Sequence, residues 1–272
     1  MPADVDARVV ENRRLSSDYN VLVFHAPAIA AAAAPGQFVM IKTAGAGAEP
    51  LLRRPFSIFE IRRDRDGIPS GISVINKKIG AGTAQIYDAR VDTVLPVLGP
   101  LGRPFEPPAS GHAWMVAGGV GLGPFVTLAE ALNRAGTPSK LFYGARSAAD
   151  LHCADLFPPL GVEVIVSTED GSRGDRGRVT VPLERSLAAA DAGAVTIYAC
   201  GPTPMMRAVA DLAARFNRPC IVSLEQVMGC GMGGCYSCVV KVRQPDRPRF
   251  MRSCIDGPVF DASHVMWEEL AH

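Results

Sequence analysis

Four cysteines in one glycine-rich stretch restrict this chain more than any other feature it has. The segment SLEQVMGCGMGGCYSCVVKVRQPDRPRFMRSCIDGP, running from Ser223 to Pro258, carries Cys230, Cys235, Cys238 and Cys254 as C-x4-C-x2-C with a distant fourth Cys. That is the spacing of plant-type [2Fe-2S] ligation, which needs four thiolates to converge. Gly229, Gly231, Gly233 and Gly234 allow left-handed backbone and bring amides close to the sulfurs. Structural zinc sites usually show two CxxC-type pairs, and Cys235–Cys238 is the one such pair here, so the spacing favours iron-sulfur over zinc.

The length of 272 residues accommodates two ordinary domains and a small appendage. Lys plus Arg number 28 against 27 Asp plus Glu, a net charge of +1 that provides no field for nucleic acid or an anionic membrane. The apolar run Ala28–Ala34 is short and closed by Pro27 and Pro35, so no transmembrane segment is expected. The opening stretch MPADVDARVVENRRL has early acids and no apolar centre, so no secretory leader is expected and the cytoplasm is the expected location. The remaining cysteines, Cys153, Cys200 and Cys220, are odd in number and scattered, which suits a reducing compartment.

Residues 1–108 alternate β-like runs with Gly/Pro turns: Ala7–Arg13, Val21–His25, Phe38–Lys42, Pro55–Ile61, Ile72–Lys77 and Thr93–Leu98. This pattern predicts a small antiparallel barrel. Arg54, Pro55, Phe56 and Ser57 enter one run with a guanidinium, a rigid ring and a hydroxyl, a set suited to a diphosphate and the edge of a flat heterocycle. Gly80–Thr83 precedes an expected helix, Ala84–Arg90, whose first amides would face the same diphosphate.

Past Pro107–Gly111 the pattern changes to alternating strands and helices, predicting a doubly wound parallel sheet over residues 109–225. Strands are expected at Ala113–Ala117, Leu141–Tyr143, Val162–Ser167, Val195–Ala199 and Cys220–Leu224. Helices are expected at Pro124–Ala135, Ala148–Leu156, Val181–Ala190 and Pro204–Asn217. The first strand ends in Gly118, Gly119, Gly121, Gly123 and Pro124, a turn that offers amides to a pyrophosphate. It departs from G-x-G-x-x-G, because Pro124 takes the third glycine's place, and no acid closes the second strand, where Gly144–Ser147 follow Tyr143. A standard Rossmann dehydrogenase is thereby disfavoured. Cys200, Gly201 and Pro202 end a later strand, placing a thiol at the carboxyl edge of the sheet, where ligands of open α/β sheets bind.

With RRPFS, GAGT, GGVGLGP, CGPTPMM and the four-cysteine segment in that order, the chain resembles the ferredoxin-reductase-like superfamily over essentially its whole length. The cysteine placement and the ending Arg252–Phe260, RSCIDGPVF, are most similar to the electron-transfer subunits of two-component, NAD-linked bacterial dihydroorotate dehydrogenases. The resemblance implies an N-terminal antiparallel FAD-binding β-barrel, a doubly wound parallel α/β nucleotide-binding domain and a small C-terminal [2Fe-2S] segment, residues 226–272. It puts Arg54–Ser57 at FAD, Ile75, Asn76 and Lys77 on the strand covering its phosphates, and Gly82 and Thr83 at the diphosphate turn. Gly118 to Pro124 would hold NAD, Cys200 would face the nicotinamide beside Gly201 and Pro202, and Glu169–Asp170 is a ribose candidate. Arg146 and Ser147 are instead suited to a 2'-phosphate.

The partner implied is an FMN-containing dihydroorotate dehydrogenase catalytic subunit, in a heterotetramer that serves pyrimidine biosynthesis. Electrons would pass from its flavin through the cluster and FAD to NAD, since a flavin exchanges both single electrons and hydride. A diaphorase subunit of a hydrogenase, a sulfide dehydrogenase or an NADH-ferredoxin complex would carry the same cofactors. Some of those relatives have Asp at the first cluster position, so Cys230 favours the orotate system. From another class, a zinc-bearing, non-catalytic binding module is separable by its absorption spectrum.

Overall fold

The structure is a computed structural model that describes residues 1–43, 49–189 and 194–270. The first half folds into a seven-stranded antiparallel sheet: β1 (Ala3–Arg14), β2 (Tyr19–His25), β3 (Phe38–Ile41), β4 (Arg54–Ser57), β5 (Glu60–Arg63), β6 (Pro69–Lys77) and β7 (Val94–Leu101). The order is β4-β3-β7-β1-β2-β6-β5. β2 is buried at every position but His25 because both its faces are covered: Leu22 and Phe24 face the barrel core, while Val21 and Val23 join a core shared with the second half. α1 (Pro27–Ala32) and α2 (Ala81–Asp88) pack against this sheet, the latter through buried Ile86 and Tyr87.

The sequence predicts one strand over Pro55–Ile61, but the structure has two, and they are the opposite edges of the sheet. Between them the fully buried Ile58 and Phe59 cross the gap, the Ile58 amide donating to the Gln37 carbonyl at 3.0 Å and the Phe59 amide to the Ser73 carbonyl at 2.8 Å. This crossing closes the barrel. An apolar run does not reveal whether its chain continues straight or changes edge.

The second sheet runs β11-β10-β9-β8-β12-β13-β16, built from β8 (His112–Gly118), β9 (Ser139–Ala145), β10 (Val162–Thr168), β11 (Asp175–Arg176), β12 (Val195–Cys200), β13 (Cys220–Ser223) and β16 (Val259–Asp261). Its pairings are parallel except β13–β16. α3 (Phe125–Arg134), α4 (Thr180–Ala189) and α5 (Thr203–Arg215) connect the strands. Ala190, where the helix expected from Val181 ends, lies outside the described residues. The helix expected over Ala148–Leu156 is replaced by short 3-10 turns at Ala148–Asp150, Ala154–Leu156 and Pro158–Leu160. Cys153 sits at φ 57°, a left-handed conformation that a continuous helix cannot contain.

Phe105 joins the halves: its ring lies 5.9 Å from Phe125 and 5.5 Å from Tyr198, and its amide donates to the Pro35 carbonyl. The C-terminal region is less separate than the sequence suggests. β14 (Val239–Val242) and β15 (Arg249–Arg252) form a hairpin, but β16 then adds an antiparallel edge strand to the second sheet. On the other side Met228, Cys238 and Cys254 bury themselves against Phe38, Met40, Leu98 and Leu101 of the barrel.

Candidate redox site

The second sheet reverses its winding between β8 and β12, the place where open α/β sheets form a crevice. β8 ends at Gly118 and β12 at Cys200, adjacent strands with Cys200 opposite Ala117. The residues after them approach so closely that a Cβ on Gly121 would stand 2.2 Å from the Cys200 carbonyl oxygen. The glycine run enters a 3-10 turn, Gly119–Leu122, before α3 begins beyond Pro124. Gly123 then faces the barrel, its Cβ position 3.2 Å from Ser57 and 3.5 Å from Ile75.

Two clefts flank this crossing. The first, about 360 Å³, is walled by Phe38, Phe56, Ile75, Ile79, Leu224 and Met228, with Arg54, Pro55, Ser57, Asn76, Lys77, Thr83, Gly121 and Cys200 also lining it. Arg53 turns away into a bidentate pair with Asp4, both contacts 2.8 Å, which leaves Arg54 as the guanidinium on the cleft. Gly82 is not in the wall; it backs the Arg54 side chain, with a Cβ position 3.2 Å from its Cγ and Nε. The Thr83 hydroxyl is spent on its own turn, accepting from the Ile79 and Gly80 amides at 2.9 and 3.0 Å, and the first-turn amides of α2 are left for a ligand. Asn76 is held by Asn20 and the Thr83 carbonyl at 2.8 and 3.1 Å. Burial, with the Glu225 carboxylate adding to it, pushes the Cys200 thiol up to about 12, so the group facing the cleft is neutral.

The second cleft, about 430 Å³, is lined by Gly118, Gly119, Arg146, Glu169, Arg178 and Pro202 among others. Gly201 sits behind it at φ 151°, a backbone conformation that side chains strain, with a Cβ position 3.0 Å from the Gly118 nitrogen that would crowd any larger residue. The expected glycine run is therefore divided: Gly118 and Gly119 face the second cleft, Gly121 the first, and Gly123 and Pro124 neither. Of the ribose candidates, Glu169 reaches the cleft, whereas Asp170 accepts from the Ser172 hydroxyl at 2.6 Å and stays on the surface. Ser147 bonds Asp150 at 3.3 Å. Lys77 lines both clefts.

The cysteine loop adjoins the first cleft through Met228. Cys238 and Cys254 sulfurs lie 3.3 Å apart and are buried, Cys230 is half-buried, and Cys235 is exposed. The Met232 amide donates to Cys230 at 3.3 Å, and Cys235 bonds the Ser237 hydroxyl at 3.2 Å. Gly231 and Gly233 take φ of 73° and 79°, and Cβ atoms there would meet Met40 at 2.6 Å and Ile255 at 2.8 Å. Among the described residues no three His, Cys, Asp or Glu stand at the spacing of a single bare ion. A two-iron cluster asks instead for four thiols around a wider hollow with amides aimed at sulfur, and these residues fit it.

A family model described as the iron-sulfur cluster binding domain of dihydroorotate dehydrogenase B matches residues 225–266, and an oxidoreductase NAD-binding domain model matches residues 115–211. The electron transfer subunit of dihydroorotate dehydrogenase B (NAD(+)) from Desulforamulus reducens is 36% identical over 97% of this chain and 98% of its own length. The protein of the same description from Bacillus caldolyticus is 40% identical over 85% of this chain and 86% of its own length. The chain belongs to the family of dihydroorotate dehydrogenase B electron-transfer subunits.

Among solved structures, a chain of the NADH-dependent reduced ferredoxin-NADP oxidoreductase studied for flavin-based electron bifurcation superposes with a TM-score of 0.85. It is 29% identical and covers 99% of this chain and 93% of its own. The cytochrome b5 reductase domain of Ulva prolifera nitrate reductase shares the fold, with TM-score 0.63, 18% identity, and coverage of 79% and 93%. This member of the electron-transfer-subunit family is an oxidoreductase whose cofactors are FAD, a [2Fe-2S] cluster and NAD. The zinc alternative is set aside by the iron-sulfur match. Among the described residues no helix is long and apolar enough to cross a membrane.

Sequence reading missed Ser223, Glu225 and Gln226 in the first cleft and Tyr19, Arg178 and Thr180 in the second. The first three follow the carboxyl end of β13, a position that the crevice rule could have singled out. The thiols also differ in a testable way. Bonding from Ser237 brings Cys235 down to about 6, whereas burial takes Cys200 and Cys220 up to about 12. At pH 7 the first is mostly thiolate and the others almost wholly thiol. In cluster-free, reduced protein, iodoacetamide is expected to label Cys235 well before Cys200 or Cys220, as read by peptide mass spectrometry; equal rates would contradict this ordering.

Proposed function

We propose that this chain takes electrons from an FMN-containing dihydroorotate dehydrogenase catalytic subunit and delivers them to NAD, in a cytoplasmic hetero-oligomer of pyrimidine biosynthesis. Residues 1–108 carry FAD, 109–225 carry NAD and 226–272 carry the cluster. The observation that supports this electron path most directly is continuity: Ser223–Gln226 and Met228 wall the first cleft, and the same stretch runs on into Cys230. Bound FAD supplies the exchange between single electrons at a cluster and hydride at nicotinamide.

The residues around the clefts bind and orient. Arg54, Ser57 and the α2 amides grip a diphosphate and ring edge, with Ile75–Lys77 covering them. Gly118 and Gly119 admit the dinucleotide backbone, and the buried, neutral Cys200 presents a flat, uncharged wall beside Gly201 and Pro202. Glu169 accepts from ribose hydroxyls and disfavours a 2'-phosphate through like charge. Val227, Met232 and Tyr236 are 80%, 64% and 63% exposed beside the ligands, an apolar rim suited to the partner's face, while Met228 is buried.

The likeness to the bifurcating oxidoreductase favours, as a second reading, a diaphorase subunit with another electron client. Reconstitution separates the two. The isolated chain is expected to reduce dyes with NADH and to leave dihydroorotate untouched, and addition of the FMN barrel from the same cell is expected to start NAD-dependent orotate formation. Orotate production by this chain alone, or coupling only to a hydrogenase or sulfide-oxidising partner, would overturn the proposal.

A further inference from the structure

Arg252 ends β15 two residues before the buried ligand Cys254, and its guanidinium reaches three parts of the cysteine loop. Nη1 donates to the Gly233 carbonyl at 3.3 Å, Nε faces the Asp256 carboxylate at 3.6 Å, and the guanidinium carbon lies 5.5 Å from the Tyr236 ring centre. The Arg252 backbone amide donates to Asp256 at 2.9 Å, so Asp256 holds both ends of the residue. Gly233 permits the approach: its Cβ position would fall 3.2 Å from Nη1 and 2.8 Å from the Ile255 side chain, and it takes φ 79° within the cysteine loop. The arginine thus ties Gly233, two residues before Cys235, to Asp256, two residues after Cys254.

We propose that Arg252 is a positioning residue that raises the cluster's readiness to accept an electron, by fixing the Gly233 turn between the ligating cysteines and by placing a fixed positive charge at the loop. The inference rests on ligation by Cys230, Cys235, Cys238 and Cys254. A [2Fe-2S] centre with four thiolate ligands is negative in both redox states and gains one further negative charge on reduction. Hydrogen bonds to sulfur and nearby positive charge favour the more negative state, and the guanidinium, which does not deprotonate, supplies its charge at every working pH. Asp256 opposes the charge that it positions.

The test uses the full cofactor-loaded chain, with iron and acid-labile sulfide measured before any potential is read. Loss of the cluster from Cys254→Ala bears on ligation, whereas the Arg252 variants are read on protein whose cluster content is intact. Equilibrated with one-electron dyes, Arg252→Gln is expected to shift the oxidised-to-reduced ratio about tenfold toward oxidised, ~59 mV for a one-electron couple. Arg252→Lys, keeping charge without the fork, falls between, and Asp256→Asn, keeping the backbone acceptor without the charge, moves the ratio the opposite way. A loosened loop would move both variants in the same direction. An unchanged ratio in Arg252→Gln, or same-sign shifts in Arg252→Gln and Asp256→Asn, overturns the proposal. If Arg252→Gln sheds its iron, Arg252→Lys and Asp256→Asn decide the matter, and no shift in either is the overturning result.

Discussion

Cys254→Ala is expected to yield protein without its red-brown colour, with iron and acid-labile sulfide falling from about two per chain to near zero. Cys254 is fully buried, its sulfur 3.3 Å from Cys238, in an apolar group with Phe38, Met40, Leu98, Leu101 and Met228. Ala leaves a gap of one sulfur, a small cost to folding beside the loss of a ligand. FAD binding and NADH-dye activity are expected to survive, because none of the four loop cysteines lines the first cleft, which the segment reaches through Met228, the residues before it and Pro258. Electron exchange with the partner is expected to vanish. Full iron and sulfide content in Cys254→Ala would refute the ligand assignment; loss of flavin together with iron would show that the segment is needed for the barrel's integrity.

Arg54→Ala is expected to weaken FAD binding by roughly 10- to 100-fold, the equivalent of about 1.5–3 kcal/mol for a hydrogen bond to a charged group. Arg54 is half-buried in the cleft wall, steadied by donation to the Leu52 carbonyl at 2.8 Å and by the side-chain contact with Gly82. That support sets the guanidinium in place before a ligand arrives, so little ordering is needed on binding. Arg54→Lys is expected to recover only part of the affinity, because an ammonium cannot span two phosphate oxygens as a planar fork does. Dilution followed by flavin fluorescence measures the dissociation. Undiminished occupancy in Arg54→Ala at high dilution would move the anchor elsewhere, with Lys77, also on this cleft, the next cation to test.

Arg53 and Arg54 show where sequence reading reaches its end. Two adjacent guanidiniums ahead of Pro55 suggest an anion-binding turn from the sequence, which does not say which of the two faces a ligand. Which one meets the ligand depends on Asp4, 49 residues earlier, which takes Arg53 into a bidentate pair. The glycine run 118–124 is similar: its composition announces a backbone turn at the end of β8, but the division between two clefts follows from the contact of Gly121 with the Cys200 carbonyl. The interruption at Cys153 was equally hidden, since helix propensity over 148–156 says nothing of a single left-handed residue held by its surroundings.

By itself the sequence determined the features whose physics is local. The four thiols and their glycine spacers follow from ligand count and backbone freedom; the alternation of the first half and the strand-helix rhythm of the second follow from periodic burial. Tertiary structure decided what depends on residues far apart in the chain. It placed β4 and β5 at opposite edges so that Ile58 and Phe59 close the barrel, returned β16 to the second sheet, and put Lys77 on both clefts. It also set Arg252 against Gly233, 19 residues away, because sheet pairing and core packing, rather than chain proximity, bring such groups within hydrogen-bond reach.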